Sequence, residues 1–297
     1  MRWTLLFLLT LATGCGGSDE VVIGSKNFTE QIILGEILAQ QIERKTGLEV
    51  DRRFNLGGTF ICDIALRSGD IDAYVEYTGT AFIAILKQEP VSDPKRVYLH
   101  VKEDYQKRDL EWLEPLGFNN TFAIMIRADE ARKLGVKSLS EAASFAPEWG
   151  AGFGYEFMER KDGFKGLART YGLSFADTKV MELGLMYRAL AAGSFDLIAG
   201  NSTEGLVAAL DLFILEDDLK YFPPYYAAPV VRSETLRQHP ELLAALLALK
   251  QVISEKQMRI MNYQVDGERK LVKQVVAGFL ATLDSSGGPL PASDSTK

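Results

Sequence analysis

ALRSGDIDAYVEYTGT, residues 65–80, is the stretch from which the fold of this chain can be predicted. An apolar helix end is followed by a Ser-Gly-Asp break, and residues 71–76 then alternate apolar with polar, the period of a strand. Tyr77 ends this strand, and Thr80 is the expected N-cap of the next helix. Ligands of α/β proteins bind outside the carboxyl ends of strands, so Tyr77 is a candidate binding residue. The alternative is that Tyr77 is an ordinary packing residue.

A second stretch, ALAAGSFDLIAGNSTEG at residues 189–205, repeats this pattern. Ala65, Leu66, Gly69 and Asp72 match Ala189, Leu190, Gly193 and Asp196, all at an offset of 124 residues. At that offset Asn201 is the counterpart of Tyr77. Two such units, one in each half of the chain, predict two lobes that build a cleft from strand ends.

Helix and strand patterns alternate along the rest of the chain, which predicts an α/β fold with a parallel sheet. Asn27 with Glu30 has the spacing of a capping box at the start of a helix. Two further capping boxes are predicted later in the chain, Ser138 with Glu141 and Ser254 with Gln257, and Asp266 is expected to open the last helix.

Composition excludes several functional classes. The chain has 297 residues and a formal net charge of −7, which argues against nucleic acid as a partner. The two histidines, His100 and His239, form no metal-binding pair, and neither a phosphate-binding loop nor a nucleophile elbow is present. Asp72 and Glu76 are expected on the polar face of their strand. No catalytic residue, metal or cofactor is therefore predicted.

The N-terminus has the pattern of an exported protein. Residues 1–14 contain an apolar run of signal-peptide length and end in small residues before Cys15. Cleavage there would leave Cys15 as an acylated lipoprotein N-terminus followed by a linker over residues 15–20, although plain secretory cleavage is an alternative. Cys62 is then the remaining thiol, which leaves no internal disulfide. Residues 284–297 are predicted to be a disordered tail.

Seven motifs together resemble one protein family. They are GSKNFTEQIILGEI at 24–37, NLGGT at 55–59, EYTGT at 76–80, WLEPLGFNNTFA at 112–123, EFMERKDG at 156–163, STEG at 202–205 and FPPYYAAPVVR at 222–232. The chain resembles, from about residue 21 to residue 280, the substrate-binding proteins of osmoprotectant ABC importers. This resemblance implies a two-lobed, periplasmic-binding-protein-like fold of type II with two crossover segments. The first lobe is expected to contain residues 21–121 and 226–283, and the second lobe residues 122–225.

The resemblance also implies the binding site. Tyr77, Phe122 and Tyr225 would be rings of an aromatic cage around a quaternary ammonium group, whose cation is attracted to ring faces. Lys26, Thr80 and Arg160 would hold a carboxylate, with both cations away from the ammonium end. Two further residues complete the predicted set, Asn120 and Asn201. Asn201 stands where the family usually places another cage tyrosine, and Phe122 replaces a ring that commonly carries a hydroxyl.

The function implied is capture of a quaternary ammonium osmolyte, such as glycine betaine, choline or carnitine, by a binding protein that is not an enzyme. A monomer held outside the cytoplasm by its lipid anchor would close its lobes on the solute and deliver it to an ABC permease. The alternative is the same role for a different small zwitterion or cation, because Asn201 replaces a cage ring.

Overall fold

The computed structural model describes residues 20–285, which form two mixed sheets and the helices packed on them. The strands are β1 Glu20–Gly24, β2 Glu49–Arg53, β3 Ala73–Tyr77, β4 Leu110–Trp112, β5 Phe122–Arg127, β6 Gly150–Phe153, β7 Asp177–Val180, β8 Leu197–Asn201, β9 Leu212–Ile214 and β10 Ala227–Arg232. The helices are α1 Thr29–Thr46, α2 Thr59–Ser68, α3 Thr78–Thr80, α4 Pro94–Gln106, α5 Ala128–Leu134, α6 Leu139–Ala142, α7 Tyr155–Glu159, α8 Phe164–Tyr171, α9 Leu183–Ala191, α10 Leu206–Ala209, α11 Ser233–Gln238, α12 Glu241–Leu247, α13 Glu255–Asp266 and α14 Val272–Ser285.

Each sheet has five strands and the same arrangement. The orders are β2-β1-β3-β10-β4 and β7-β6-β8-β5-β9, and we call the first sheet with its helices the first lobe and the second sheet with its helices the second lobe. The α/β class and the two crossovers are confirmed, because the chain changes sheets between β4 and β5 and again between β9 and β10. The predicted boundaries at residues 121 and 225 stay predictions.

The expectation of a wholly parallel sheet is wrong. β10 pairs antiparallel with β3, and β5 pairs antiparallel with β8. Strands β5 and β10 are the ones that follow the crossovers. Each therefore enters its sheet from the other lobe and runs antiparallel to its neighbours.

The sequence repeat corresponds to a repeated structural unit. Gly69 is the C-cap of α2 and Gly193 follows the C-cap of α9, with φ of 85° and 74°, left-handed values that glycine adopts at low cost. Three residues later in each lobe an aspartate accepts a hydrogen bond from a backbone N–H of the neighbouring strand, Asp72 from Val22 at 2.8 Å and Asp196 from Gly150 at 2.9 Å. The strands that follow end at Tyr77 and at Asn201, as the offset predicts.

Strand β3 is buried on both faces, so the polar face predicted for it is wrong. Glu76 has no exposed surface, and Tyr74 on the same side is equally buried. The helices on either side of a mixed sheet cover both of its faces, and the alternating pattern in β3 therefore does not separate core from solvent.

The helix termini give mixed results. The capping boxes at Ser138 and Ser254 are confirmed. The one predicted at Asn27 is wrong, because Phe28 is the N-cap of α1 and makes no side-chain cap. Thr80 is the last residue of α3 and makes no side-chain cap for the helical turn that follows it, and Asp266 ends α13 instead of opening α14.

The predicted export signal and most of the predicted tail lie outside the described residues, and so does Cys15. Ser285 still belongs to α14, so the helix extends two residues into the predicted tail. Among residues 20–285, no helix is both long and apolar enough to span a bilayer.

Candidate ligand-binding cleft

A cavity of about 310 Å³ lies where the two lobes face each other, and we call it the cleft. All eight residues predicted to bind ligand line it: Lys26, Tyr77, Thr80, Asn120, Phe122, Arg160, Asn201 and Tyr225. They come from both lobes and from both crossover segments. The structure therefore brings together residues up to about two hundred positions apart in sequence, although their binding roles stay predictions.

Lys26 lies on the first-lobe wall of the cleft and is buried there. Its Nζ donates to Glu76 Oε1 at 2.6 Å and to Thr59 Oγ1 at 3.0 Å, and it lies 5.2 Å from the centre of the Tyr77 ring. Burial raises the pKa of Glu76, and the Lys26 charge opposes that rise. The positive charge of Lys26 is thus already paired with a protein carboxylate.

An aromatic cluster lies at the cleft, and three of its four rings, those of Phe122, Phe157 and Tyr225, line the cavity. The centre of the Phe122 ring is 4.8 Å from that of Phe157, 5.7 Å from that of Phe222 and 5.5 Å from that of Tyr225. Two of these pairs are edge-to-face, an arrangement that aromatic rings favour. Phe122 begins β5 while Phe222 and Tyr225 precede β10, so the two crossovers carry most of the cluster.

Tyr225 is held in place at both ends. Its backbone N–H donates to Asn119 Oδ1 at 2.7 Å, and its hydroxyl donates to Asp162 Oδ2 at 2.5 Å. Burial raises the pKa of the Tyr225 hydroxyl well above its ordinary value. The neutral phenol therefore presents its ring to the cleft in a fixed orientation.

Arg160 lies against the rings of Phe122 and Tyr225. Its guanidinium carbon is 5.3 Å from the centre of the Phe122 ring and 5.9 Å from that of Tyr225. Nε and Nη2 donate to the two oxygens of Asp162, and Nη1 donates to Thr80 Oγ1 at 3.3 Å. Asp162 thus compensates the charge of Arg160, just as Glu76 compensates that of Lys26.

Glu30 holds two cleft residues, Tyr77 and Asn120, by hydrogen bonds, and sequence reasoning missed this role. Its buried carboxylate accepts from Tyr77 Oη at 2.6 Å, from Asn120 Nδ2 at 2.7 Å, from Asn262 Nδ2 at 3.2 Å and from Thr203 Oγ1. Burial raises the pKa of Glu30, against the opposing effect of these four hydrogen bonds. The sequence shows only the spacing of a helix cap, because none of the four partners is within forty residues of it.

Glu156 of α7 reaches across the cleft and was also missed. It accepts from the backbone N–H of Thr59 at 2.9 Å and from Thr59 Oγ1 at 3.3 Å, at the first turn of α2 in the other lobe. A Cβ on Gly58 would lie 2.1 Å from Glu156 Oε1, so this glycine lets the carboxylate approach. Glu156 lies within one of the family motifs, but the sequence does not show which element of the other lobe it contacts.

Asn201 lies directly opposite Phe122 in the antiparallel pairing of β8 and β5. The backbone N–H of Asn201 donates a hydrogen bond to Tyr187 Oη at 2.9 Å, which fixes the position of the backbone here. Within residues 20–285, its side-chain amide has no hydrogen-bond partner. The cleft therefore has a free amide group beside the aromatic cluster.

Two other aromatic residues line the cleft without having been predicted, Phe28 and Tyr155. Tyr155 is 70% exposed at the start of α7. Residues 20–285 contain no group of acidic, histidine and cysteine side chains suited to a metal. Cys62 is buried, which raises the pKa of its thiol to about 12, so the unreactive thiol form prevails at neutral pH.

Comparison with known proteins agrees with this geometry. Residues 19–282 match the family model described as the substrate binding domain of the ABC-type glycine betaine transport system. The chain belongs to this family. Its members are transport binding proteins and not enzymes, which confirms the family and the absence of catalysis inferred from the motifs.

Individual relatives cover nearly the whole chain. The carnitine transport binding protein of Listeria monocytogenes is 36% identical over 272 residues, which are 90% of this chain and 88% of that protein. The glycine-betaine-binding protein of Pseudomonas aeruginosa is 34% identical, over 91% of this chain and 89% of that protein. A solved glycine betaine/carnitine/choline ABC transporter structure superposes with a TM-score of 0.76 at 34% identity, covering 89% of this chain and 98% of that one. These likenesses confirm the type II binding-protein fold.

Proposed function

We propose that this protein captures a quaternary ammonium solute in the cleft and delivers it to an ABC permease. The observation that carries the proposal is the aromatic cluster of Phe122, Phe157, Phe222 and Tyr225 at the interface of the two lobes. A quaternary nitrogen has no N–H to donate, so ring faces are its best partners. Each face contributes about 0.5–2 kcal/mol when water is excluded.

The lobes would close on the solute by a hinge motion through the two crossovers. The cleft residues Phe122 and Tyr225 lie at the ends of those crossovers, so a ligand that contacts both rings fixes the relative position of the lobes. Contacts already join the lobes across the cleft, including those of Glu156 with Thr59 and of Arg160 with Thr80. These contacts support an arrangement in which the two lobes are closed on each other.

Outside the described residues, we propose export by the segment 1–14 and acylation of Cys15. A binding protein of an ABC importer acts outside the cytoplasm, and a lipid anchor would keep it as a monomer near its permease. Mass spectrometry of the mature protein, showing a diacylglyceryl modification at Cys15 or an unmodified N-terminus, tests this part separately.

A second candidate is the same role for a small zwitterion or cation outside the betaine group. The observation that favours it is the unpaired amide of Asn201, which offers hydrogen bonds where an aromatic ring would offer none.

Isothermal titration calorimetry with glycine betaine, choline, carnitine and proline betaine tests the proposal. We expect saturable binding of at least one of the four with a stoichiometry of one, because a single cleft holds the aromatic cluster. Absence of heat with all four, in a protein shown to be folded by circular dichroism, would contradict the quaternary ammonium proposal and favour the second candidate.

A further inference from the structure

A second cavity, of about 370 Å³, lies beside the cleft and is also lined by both lobes. Five residues line both cavities and so form the wall between them: Asn27, Phe28, Glu182, Leu183 and Asn201. The four rings of the aromatic cluster are not among the residues that line the second cavity. The two cavities therefore suit ligands of different chemistry.

Carboxylates outnumber cations around the second cavity. Its lining contains four carboxylates, those of Glu30, Glu182, Glu204 and Asp266, and two guanidinium groups, those of Arg188 and Arg269. Arg188 donates to the backbone carbonyl of Asp266 at 3.2 Å, and Arg269 is exposed. Within residues 20–285, none of the four carboxylates forms an ion pair with a lysine or arginine side chain. The lining thus carries negative charge that the protein does not compensate.

Asn262 of α13 supplies an independent sign of a ligand. It lines the second cavity and is 3% exposed. Its Nδ2 donates to Glu30 Oε2 at 3.2 Å and to the carbonyl oxygen of Thr203 at 2.8 Å, and these two bonds fix the orientation of the amide. Its Oδ1 is buried and has no hydrogen-bond partner in the described part of the chain. A buried acceptor without a donor is costly, so a ligand with an N–H would satisfy it.

We propose that the second cavity binds a small organic cation with N–H donors, such as a protonated primary amine. Its N–H groups would pair with Asn262 Oδ1 and with the carboxylates of Glu204 and Asp266, and its carbon chain would lie against the apolar part of the lining. A cation that reaches both Asn262 and Glu204 joins the first lobe to the second. The site is separate from the cleft, so the inference goes beyond the proposed function and does not depend on it.

The size of the second cavity favours an organic ligand over a bare ion. About 10–15 Å³ of such a cavity is enough for one water molecule, and the second cavity is far larger. Its carboxylates are also not grouped as a metal site, since no such group is found among residues 20–285. A quaternary ammonium group has no N–H and would leave Asn262 Oδ1 without a donor. The second cavity therefore selects the kind of nitrogen that the aromatic cluster does not need.

The test compares propylammonium with tetramethylammonium, because both are small and carry one positive charge but only propylammonium has N–H donors. Affinities are measured by calorimetry at low ionic strength and pH 8, where Glu204, whose pKa burial raises to about 7, is mostly ionised. The proteins are wild type, Glu204→Gln and Asp266→Asn, which remove one charge each and keep the shape of the side chain. Glu255→Gln, at an exposed position at the start of α13 and outside the second cavity, is the matched control for net charge.

We expect wild type to bind propylammonium saturably and Glu204→Gln to weaken this binding about tenfold, since a charge-assisted hydrogen bond is lost. Asp266→Asn should weaken it in the same direction, and Glu255→Gln should leave it unchanged. The affinity for tetramethylammonium should be the same in wild type and Glu204→Gln. Circular dichroism and thermal melts establish that each variant is folded.

Absence of saturable propylammonium binding by wild type would overturn the inference, because the second cavity would then hold water alone. An unchanged propylammonium affinity in both Glu204→Gln and Asp266→Asn would also overturn it. The same holds if Glu255→Gln weakens binding as much as Glu204→Gln, since only overall charge would then matter. Failure of wild type to bind tetramethylammonium would instead count against the proposed function, and the propylammonium titrations would still decide the second site.

Discussion

At the scale of single residues, Glu30 is a buried carboxylate that connects several distant segments of the chain. Its carboxylate is 3% exposed and accepts four hydrogen bonds, two of them from the cleft residues Tyr77 and Asn120. A buried carboxylate is costly unless its oxygens are paired, and here each oxygen has two donors. Glu30 therefore links the stability of the fold to the shape of the cleft.

Glu30→Ala should lower the free energy of unfolding by about 1–3 kcal/mol, because four buried donors then lose their acceptor. Urea unfolding followed by circular dichroism measures this difference. Glu49→Ala, at an exposed position on β2, is the control and should change stability by less than about 0.5 kcal/mol. A Glu30→Ala protein as stable as the control would show that the four hydrogen bonds contribute little.

The residues of the cleft could be predicted to different extents. Tyr77, Phe122 and Tyr225 occupy family motifs, and their sequence context was sufficient to place them in one site. Glu30 and Glu156 could not be found in this way, because their roles depend on partners in distant segments. A hydrogen bond between the two lobes leaves no periodic pattern in a single sequence.

At the scale of elements, the loop after β8 and helix α13 bring carboxylates from the two lobes together. Glu204 in the loop and Asp266 at the end of α13 line, with Glu30, a second cavity of about 370 Å³ beside the cleft. Burial raises the pKa of Glu204 to about 7, and the charges of Asp266 and Glu30 add to that rise. The loop is therefore sensitive to protonation near neutral pH.

The pKa of Glu204 is higher in the folded protein than its ordinary value of 4.5, so folding favours the protonated form. The stabilisation it gives is fully present below pH 4.5 and is lost as the pH rises through about 7. Glu204→Gln imitates the protonated form at every pH. The variant should match wild type near pH 4.5 and exceed its free energy of unfolding by about 1–3 kcal/mol at pH 8.

Urea titrations of wild type and Glu204→Gln at pH 4.5, 6 and 8 measure this difference. The control is Glu268→Gln, which makes the same substitution at an exposed position shortly after α13. Parallel profiles for wild type and Glu204→Gln would contradict the raised pKa of Glu204.

The elements themselves were predicted unevenly. The repeat in residues 65–80 and 189–205 gave the ends of β3 and β8 correctly, because a glycine turn and an aspartate that bonds the neighbouring strand recur in each lobe. The solvent face predicted for β3 was wrong because helices cover both sides of its sheet. The capping box predicted for Asn27 with Glu30 was wrong, because the Glu30 carboxylate is bound by tertiary partners instead.

At the scale of the whole molecule, the two crossovers explain both the mixed sheets and the position of the site. Each crossover delivers an antiparallel strand to the opposite sheet, and each carries aromatic residues into the cleft at the point of entry. The strand order could not be predicted from local patterns, because sheet neighbours such as β3 and β10 are far apart in sequence. The two-lobed organisation could be predicted from the sequence, because the repeat and the family motifs both indicate it.

The central claim is that the aromatic cluster between the lobes binds a quaternary ammonium group. Calorimetric titration of tetramethylammonium into wild type and Phe122→Leu tests it most directly, because the ligand offers only the cation and leucine keeps an apolar side chain without a ring face. Phe213→Leu, on β9 and outside the cleft, is the matched control. We predict that Phe122→Leu weakens binding about 3- to 30-fold while Phe213→Leu does not change it. Equal affinity in wild type and a folded Phe122→Leu protein would contradict the claim.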